Sequence, residues 1–364
     1  MKRTSIFIII FLCQLHLFSQ EISINFDFEN AKQTLNLLEK KNINEKELRA
    51  FADLEGSKAL LRKINENNDI IIEAIKDANQ KIFDKKYQNF QYESISRNIK
   101  KWREFIADIE SEQSSITSEL IESYKKYLNP NKKYVFNVFL LMGGNSSGFT
   151  LGDGDNLYIG THLYRQDMKS IYLTCKHELF HNIQSILYNS EPIARKLQEA
   201  DLAFIYAYGM IKHIFLEGTA EYISSNIDYY EHPDTDKQNH PHIKELYDQA
   251  IVNKYRIKGI NYLLNSTILD LYKNQDKADA EAIYQLLFDW NWNNPAYYAG
   301  EKMITALIND KGEQILMEYL EKDPIYFMSD YINLSRKNEE NYPIQFTDEF
   351  ANMINKIKMQ VETK

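Results

Sequence analysis

Apolar residues recur every three or four positions along most of this chain, the period that lines one face of a helix. In "ALLRKINENNDIIIEAI" (59–75) and "SITSELIESYKKYL" (115–128) they are separated by acids, lysines and asparagines, so residues 20–130 read as a helical region with solvated outer faces. "NPNKK" (129–133) breaks that period, and "YVFNVFLLMGG" (134–144), β-branched and aromatic and closed by glycines, reads as a strand. A turn-rich loop, "SSGFTLGDGDN" (146–156), leads to a second strand, "LYIGTHLY" (157–164). Its "GDGDN" run lacks the ligand spacing of a calcium loop and is better read as a turn. From Asp167 onward the helical period returns, interrupted by "YYEHPDTDKQNHPH" (229–242), a surface loop whose His232, His240 and His242 lack ligand spacing. The whole pattern predicts a mainly α fold with a small β-sheet, an α+β class. Its boundaries are a core region over 131–330 and a helical C-terminal segment over 331–364.

The first twenty residues, "MKRTSIFIIIFLCQLHLFSQ", have another character. Lys2 and Arg3 precede an apolar run from Ile6 to Leu12, and Ser19 offers a small residue for cleavage. Residues 1–19 therefore read as a secretory signal peptide, too short to span a bilayer, and the expected location is periplasmic or extracellular. Leu12 stands where a lipid-anchor motif needs a small residue, so simple cleavage is favoured over lipidation at Cys13 and no stable membrane insertion is expected. Cleavage would leave Cys175 as the sole cysteine, without an intrachain disulfide. Composition adds little: 44% hydrophobic and 26% charged residues are ordinary for a globular protein. The formal charge of −9, moving to about −11 with loss of Lys2 and Arg3, gives no support to a nucleic-acid partner.

The candidate chemistry lies in "TCKHELFHNI" (174–183). On a helix, His177 and His181 share a face and can both point at one ion. Glu178, about 100° further round, stands where a general base for a metal-activated water belongs. Apart from Lys176 the flanking residues are uncharged, as befits a helix beneath an active site. A third ligand is needed, and two segments offer one. Glu199 and Asp201 in "LQEADLAF" lie nearer; Glu217 in "FLEGTAEYIS" (215–224) follows His181 after about 35 residues. The second is preferred. Glu217 and Glu221 share a helix face, and the small Gly218 and Ala220 would let that helix press against the histidine helix. One carboxylate could then bind zinc while the other, Glu221, accepts a ring N–H from a ligand histidine.

"HELFH" followed by "LEGTAEY" resembles the gluzincin group of zinc metallopeptidases, which includes the thermolysins and the membrane alanyl aminopeptidases. A closer likeness, over roughly 134–310, is to uncharacterised zinc-dependent peptidases secreted by bacteria, which share this layout. The resemblance implies a gluzincin-like catalytic core with one Zn2+ per chain on His177, His181 and Glu217, Glu178 as base, and a peptide or protein substrate. Glu217 matches the ligand of the aminopeptidases' N-E-G segment, with Leu216 at the usual asparagine. Glu221 matches the acidic residue of thermolysins four positions on. The gap exceeds theirs, so an inserted helix is expected, "LAFIYAYGMIKHI" (202–214) being the candidate. A Y-x-x-G segment, Tyr297 to Gly300, fits the aminopeptidases' oxyanion donor, with Tyr298, then Tyr206, Tyr208 and His213, as substitutes. Gluzincins also bind extended substrate along an edge strand before the zinc helix. This assigns that role to 134–144, with Gly143 and Gly144 admitting the substrate backbone. The alternatives are a non-peptidase zinc hydrolase, a zinc-containing binding module of the cell envelope, or a metal-free helical envelope protein.

Overall fold

The computed structural model describes residues 21–152, 154–188, 202–224, 241–274 and 277–362. The expected signal peptide, the alternative ligands Glu199 and Asp201, Asp153 of "GDGDN", and residues 229–240 of the expected loop with His232 and His240 lie outside them, as does the side chain of His242. Pro241 and His242 begin a helix instead of ending a loop. The chain divides after Asn182 into two compact units. The fold is mainly helical with one small sheet, the α+β class that the periodicity predicts.

The first unit opens with strand β1 (Glu21–Asp27), where the sequence reading has only helices. In "EISINFD" the apolar residues alternate, and seven residues are too few to stand out beside the long helical run that follows. Helices α1 (Glu29–Glu39), α2 (Glu45–Ala52), α3 (Glu55–Ile64), α4 (Asn68–Gln80), α5 (Tyr92–Ser96) and α6 (Ile99–Tyr124) carry the chain to β2 (Lys133–Leu141). β1 and β2 are parallel, in register from Glu21↔Lys133 to Asp27↔Phe139. After β2 come β3 (Gly148–Thr150) and β4 (Asn156–Gly160), and the sheet order is β1-β2-β4-β3. β4 is parallel to β2 and antiparallel to β3. Ala59 and Leu60 of α3 pack on Leu141, Phe149 and Tyr158, which closes the core between helix and sheet.

This topology overturns the edge-strand expectation for 134–144. β2 is interior, hydrogen-bonded to a strand on each side, because seven residues of β1 cover the flank that would have been free. The glycines that follow it are filled space. A Cβ at Gly143 would lie 2.7 Å from the Tyr92 ring, and one at Gly144 2.7 Å from Leu60, while the Gly144 N–H donates to the Phe90 carbonyl at 3.3 Å. Their φ values of +144° and +91° suit glycine alone, so the pair shapes a buried turn instead of an open backbone track. The sheet edge nearest the motif is β3, three residues within the expected loop.

Helix α7 (Met168–Leu187) carries the motif and runs across the division point. Beyond it, the described residues form α8 (Leu202–Ser224), α9 (Pro241–Tyr255), α10 (Ile257–Lys273), α11 (Lys277–Phe288), α12 (Pro295–Lys311), α13 (Gln314–Glu321), α14 (Pro324–Ser335) and α15 (Asp348–Glu362). α8 is apolar around most of its circumference and packs on α10, α12 and α14, as expected for a helix enclosed on several sides. The inserted helix expected over 202–214 is not separate: it is the first half of α8, continuous with the Glu217 segment. Among the described residues no helix is long and apolar enough to cross a membrane.

Candidate metal centre and active site

α7 begins with a built cap. The buried Asp167 carboxylate accepts the N–H groups of Lys169 and Ser170 at 3.1 and 3.2 Å and the Ser170 hydroxyl at 2.7 Å. Side-chain acceptance of these first N–H groups satisfies donors that the helix cannot use itself. Ile171, Cys175, Leu179, Phe180 and Ile183 are buried, and Tyr124 donates its hydroxyl proton to the Lys176 carbonyl. With that face fixed, His177, Glu178 and His181 are left half-buried on the other. The histidine rings meet edge to face at 80°, and their Nε2 atoms are 3.1 Å apart.

Glu178 lies against the edge strand. A Cβ at Gly148 would come within 2.8 Å of the Glu178 Cγ and Oε1 and 2.6 Å of Thr174, so only glycine lets β3 pass here. Sequence reading gives Gly148 no role, because its neighbour in space is 30 positions away. Burial and then the negative charge of Glu178 raise the Cys175 pKa; burial also dominates the rise at Tyr164, to which Glu178 adds. Lys63, from α3, is a second residue without a sequence signal. Its ammonium sits 4.5 Å from the Phe149 ring centre; burial lowers its pKa and Glu178 pulls it back up.

α8 carries Glu217 and Glu221, both half-buried, and His213 one turn earlier. Gly218 acts differently from expectation. Gly218 meets α12, not the histidine helix: a Cβ there would lie 2.4 Å from the Gly300 backbone, and one at Gly300 2.3 Å from the Ile214 carbonyl. What joins the end of α7 to α8 is polar. Gln184 donates to the Leu216 carbonyl at 2.8 Å and to Thr219 Oγ1 at 2.7 Å. A second link runs from Tyr188 to Tyr208 at 2.7 Å and from Tyr208 to Asp323, the cap of α14, at 2.8 Å. Tyr208 is thereby committed to structure, which removes it as an oxyanion donor.

Tyr297 lies half-buried on the first turn of α12, its ring 6.2 Å from Phe288. Phe288 in turn stacks on Tyr284 at 4.9 Å, and both contact His213, whose Nδ1 is bonded to the Gly209 carbonyl at 2.8 Å. Tyr284 has no motif around it, yet its pKa is raised by burial and then by the charge of Glu217, which puts that phenol in the field of the carboxylate. Tyr298 is turned toward Lys302, whose ammonium is 5.4 Å from its ring centre. Tyr206 is half-buried on α8.

Among the described residues, one set of potential ligands comes together: one atom each from His177, His181 and Glu217, all within 4.8 Å of one another. Tetrahedral zinc with bonds near 2.0–2.1 Å spaces its ligands about 3.3 Å apart, close to the 3.1 Å between the histidine nitrogens. Two imidazoles and a carboxylate, with a fourth position left for water, suit zinc. The donor set fits the metal.

A helical protein whose motif helix and α8 gather two histidines and a glutamate is of the class that can hold a catalytic metal. Comparison with known families agrees: the chain belongs to the family described as "putative zinc dependent peptidase (DUF5700)", whose model matches residues 18–340. No curated protein and no solved structure matches the chain.

Proposed function

We propose that this protein is an exported, gluzincin-type zinc peptidase. The observation that carries the reading is the meeting of His177, His181 and Glu217, with Glu178 held at the edge of a sheet. One Zn2+ per chain would be held by those three residues. Bound there, it would supply a Lewis acid for the scissile carbonyl and lower the pKa of a water.

Glu178 takes the proton of the attacking water and passes it to the leaving amine. Its place beside Gly148 bears on the substrate as well. A peptide adding to the outer edge of β3 would lie alongside the base, so we reassign strand addition from 134–144 to 148–150. Glu221 orients a ligand histidine by accepting its ring N–H. Tyr297 donates to the developing oxyanion, and Tyr284, in the field of Glu217, is the competing donor. The basic, then apolar, character of residues 1–19 supports export.

The test is a pair of variants assayed on a mixed peptide library. Glu178→Ala is expected to keep zinc and lose hydrolysis, and Glu217→Ala to lose both. Hydrolysis surviving in Glu178→Ala would rule out the proposed base.

A further inference from the structure

The second unit contains a cavity of about 550 Å3, within the usual range for a ligand site. Glu221, one turn beyond Glu217 on α8, lines it, and so do Tyr297 and Tyr298 of α12. Its far wall is α9, through Leu246, Tyr247, Ala250 and Ile251. We propose that this cavity is the pocket that selects the substrate, and that it takes large apolar or aromatic side chains; the proposal rests on the peptidase reading.

The chemistry follows from which polar groups are already occupied. Glu301 is the buried charge of the lining, and it is neutralised from within: Lys302 Nζ lies 2.8 Å from one carboxylate oxygen and the Thr305 hydroxyl donates to the other at 3.0 Å. Lys302 itself is laid toward Tyr298. Asn253, also buried, donates to the Asn293 carbonyl at 2.8 Å and accepts from Arg256 Nε at 2.8 Å. A ligand entering here meets mostly aromatic faces and aliphatic side chains, with Glu221 and Lys254 as the other charged groups of the lining. Because the lining is mostly apolar, a large apolar side chain gains there by leaving water.

The walls are held rigidly. The Gly218–Gly300 approach fixes α8 against α12, and the Asn253–Asn293 bond ties α9 to the turn before α12. In that turn Asn293 and Asn294 adopt left-handed φ values of 59° and 45°, a conformation that asparagine tolerates, and both line the cavity. The volume exceeds what one aromatic side chain fills.

The experiment uses the full chain, with and without zinc. Binding of N-acetyl-phenylalanine amide and N-acetyl-glycine amide is followed by saturation-transfer NMR, and cleavage preference by a mixed peptide library. The wild type is expected to bind the phenylalanine probe and not the glycine one, with or without zinc. It should cut preferentially beside large apolar residues. Ala250→Trp, which fills the cavity, should weaken the phenylalanine probe at least tenfold and shift cleavage toward small residues. If that variant does not fold, Tyr247→Ala removes a wall and should broaden the preference instead. Phenylalanine binding untouched by the folded Ala250→Trp variant, or cleavage with unchanged preference, would overturn the pocket while leaving the peptidase standing. Selective probe binding without any cleavage by the zinc-loaded chain would overturn the peptidase and leave a binding pocket.

Discussion

The histidine helix α7 and the glutamate helix α8 are held by different means. α7 is fixed by directional bonds: the Asp167 cap at its start, the Tyr124 hydroxyl on the Lys176 carbonyl, and Gln184 near its end. α8 shares the Gln184 bonds and adds the Tyr188–Tyr208–Asp323 chain, but packing dominates along it. It is enclosed by apolar packing, and its closest approach to a neighbour is the backbone contact of Gly218 with Gly300. The difference bears on the site. A ligand pair four residues apart on one helix is set by helix geometry alone, whereas Glu217 reaches its place only if remote helices pack correctly.

The largest effects should come from removing the chemistry. Glu178→Ala should lower hydrolysis by about 10²–10⁴-fold, the usual contribution of a positioned general base, with zinc retained. Next comes the packing contact. Gly300→Val puts a branched side chain where 2.3 Å separates a Cβ from a backbone carbonyl, and should cost about 3 kcal/mol or more, read by denaturant unfolding. Its zinc affinity should fall too, because α8 must shift. An equally small-to-large change at Gly148 should behave differently: Gly148→Val should reduce hydrolysis, through displacement of Glu178, more than it reduces zinc content.

Gln184→Leu sharpens the comparison from the other side. It leaves the Thr219 hydroxyl and Leu216 carbonyl without their shared donor, at a cost of about 1–3 kcal/mol, and should weaken zinc without abolishing it. The first unit also carries a pH-dependent contribution. His162 is buried, donates from Nε2 to the Gly144 carbonyl at 3.0 Å, and has its pKa lowered from 6.5 to about 4 by burial. The unfolded chain takes up that proton below about pH 6.5 while the native state resists it to about pH 4. Stability should therefore fall by up to about 3 kcal/mol as pH drops through this window, with no further loss from His162 below it. His162→Gln, measured across the same pH range, should flatten the profile.

These contrasts also explain what the sequence disclosed. The placement of His177, Glu178 and His181 together on one helix is legible because their spacing matches a single helix. Glu217 is legible because two acids and two small residues share a short apolar segment. The reason assigned to Gly218 was wrong, since its partner, Gly300, lies 82 positions away and a small residue does not name what it touches. Gly143 and Gly144 misled for the same reason: a glycine pair after a strand admits either a substrate backbone or, as here, a neighbouring tyrosine and leucine. β3 was invisible because three residues carry no periodicity, and Lys63 and Tyr284 because nothing local marks them. The mainly α character with a small sheet was legible throughout, and β1 was missed where a short alternation adjoined a long helical run.

Zinc content measured side by side in the purified wild-type chain, Glu178→Ala and Glu217→Ala tests the account most directly. It predicts one zinc per chain in the first two and none in the third, with peptide hydrolysis in the wild type alone. Zinc retained at full stoichiometry by Glu217→Ala, or no zinc in the wild type after reconstitution, would contradict it.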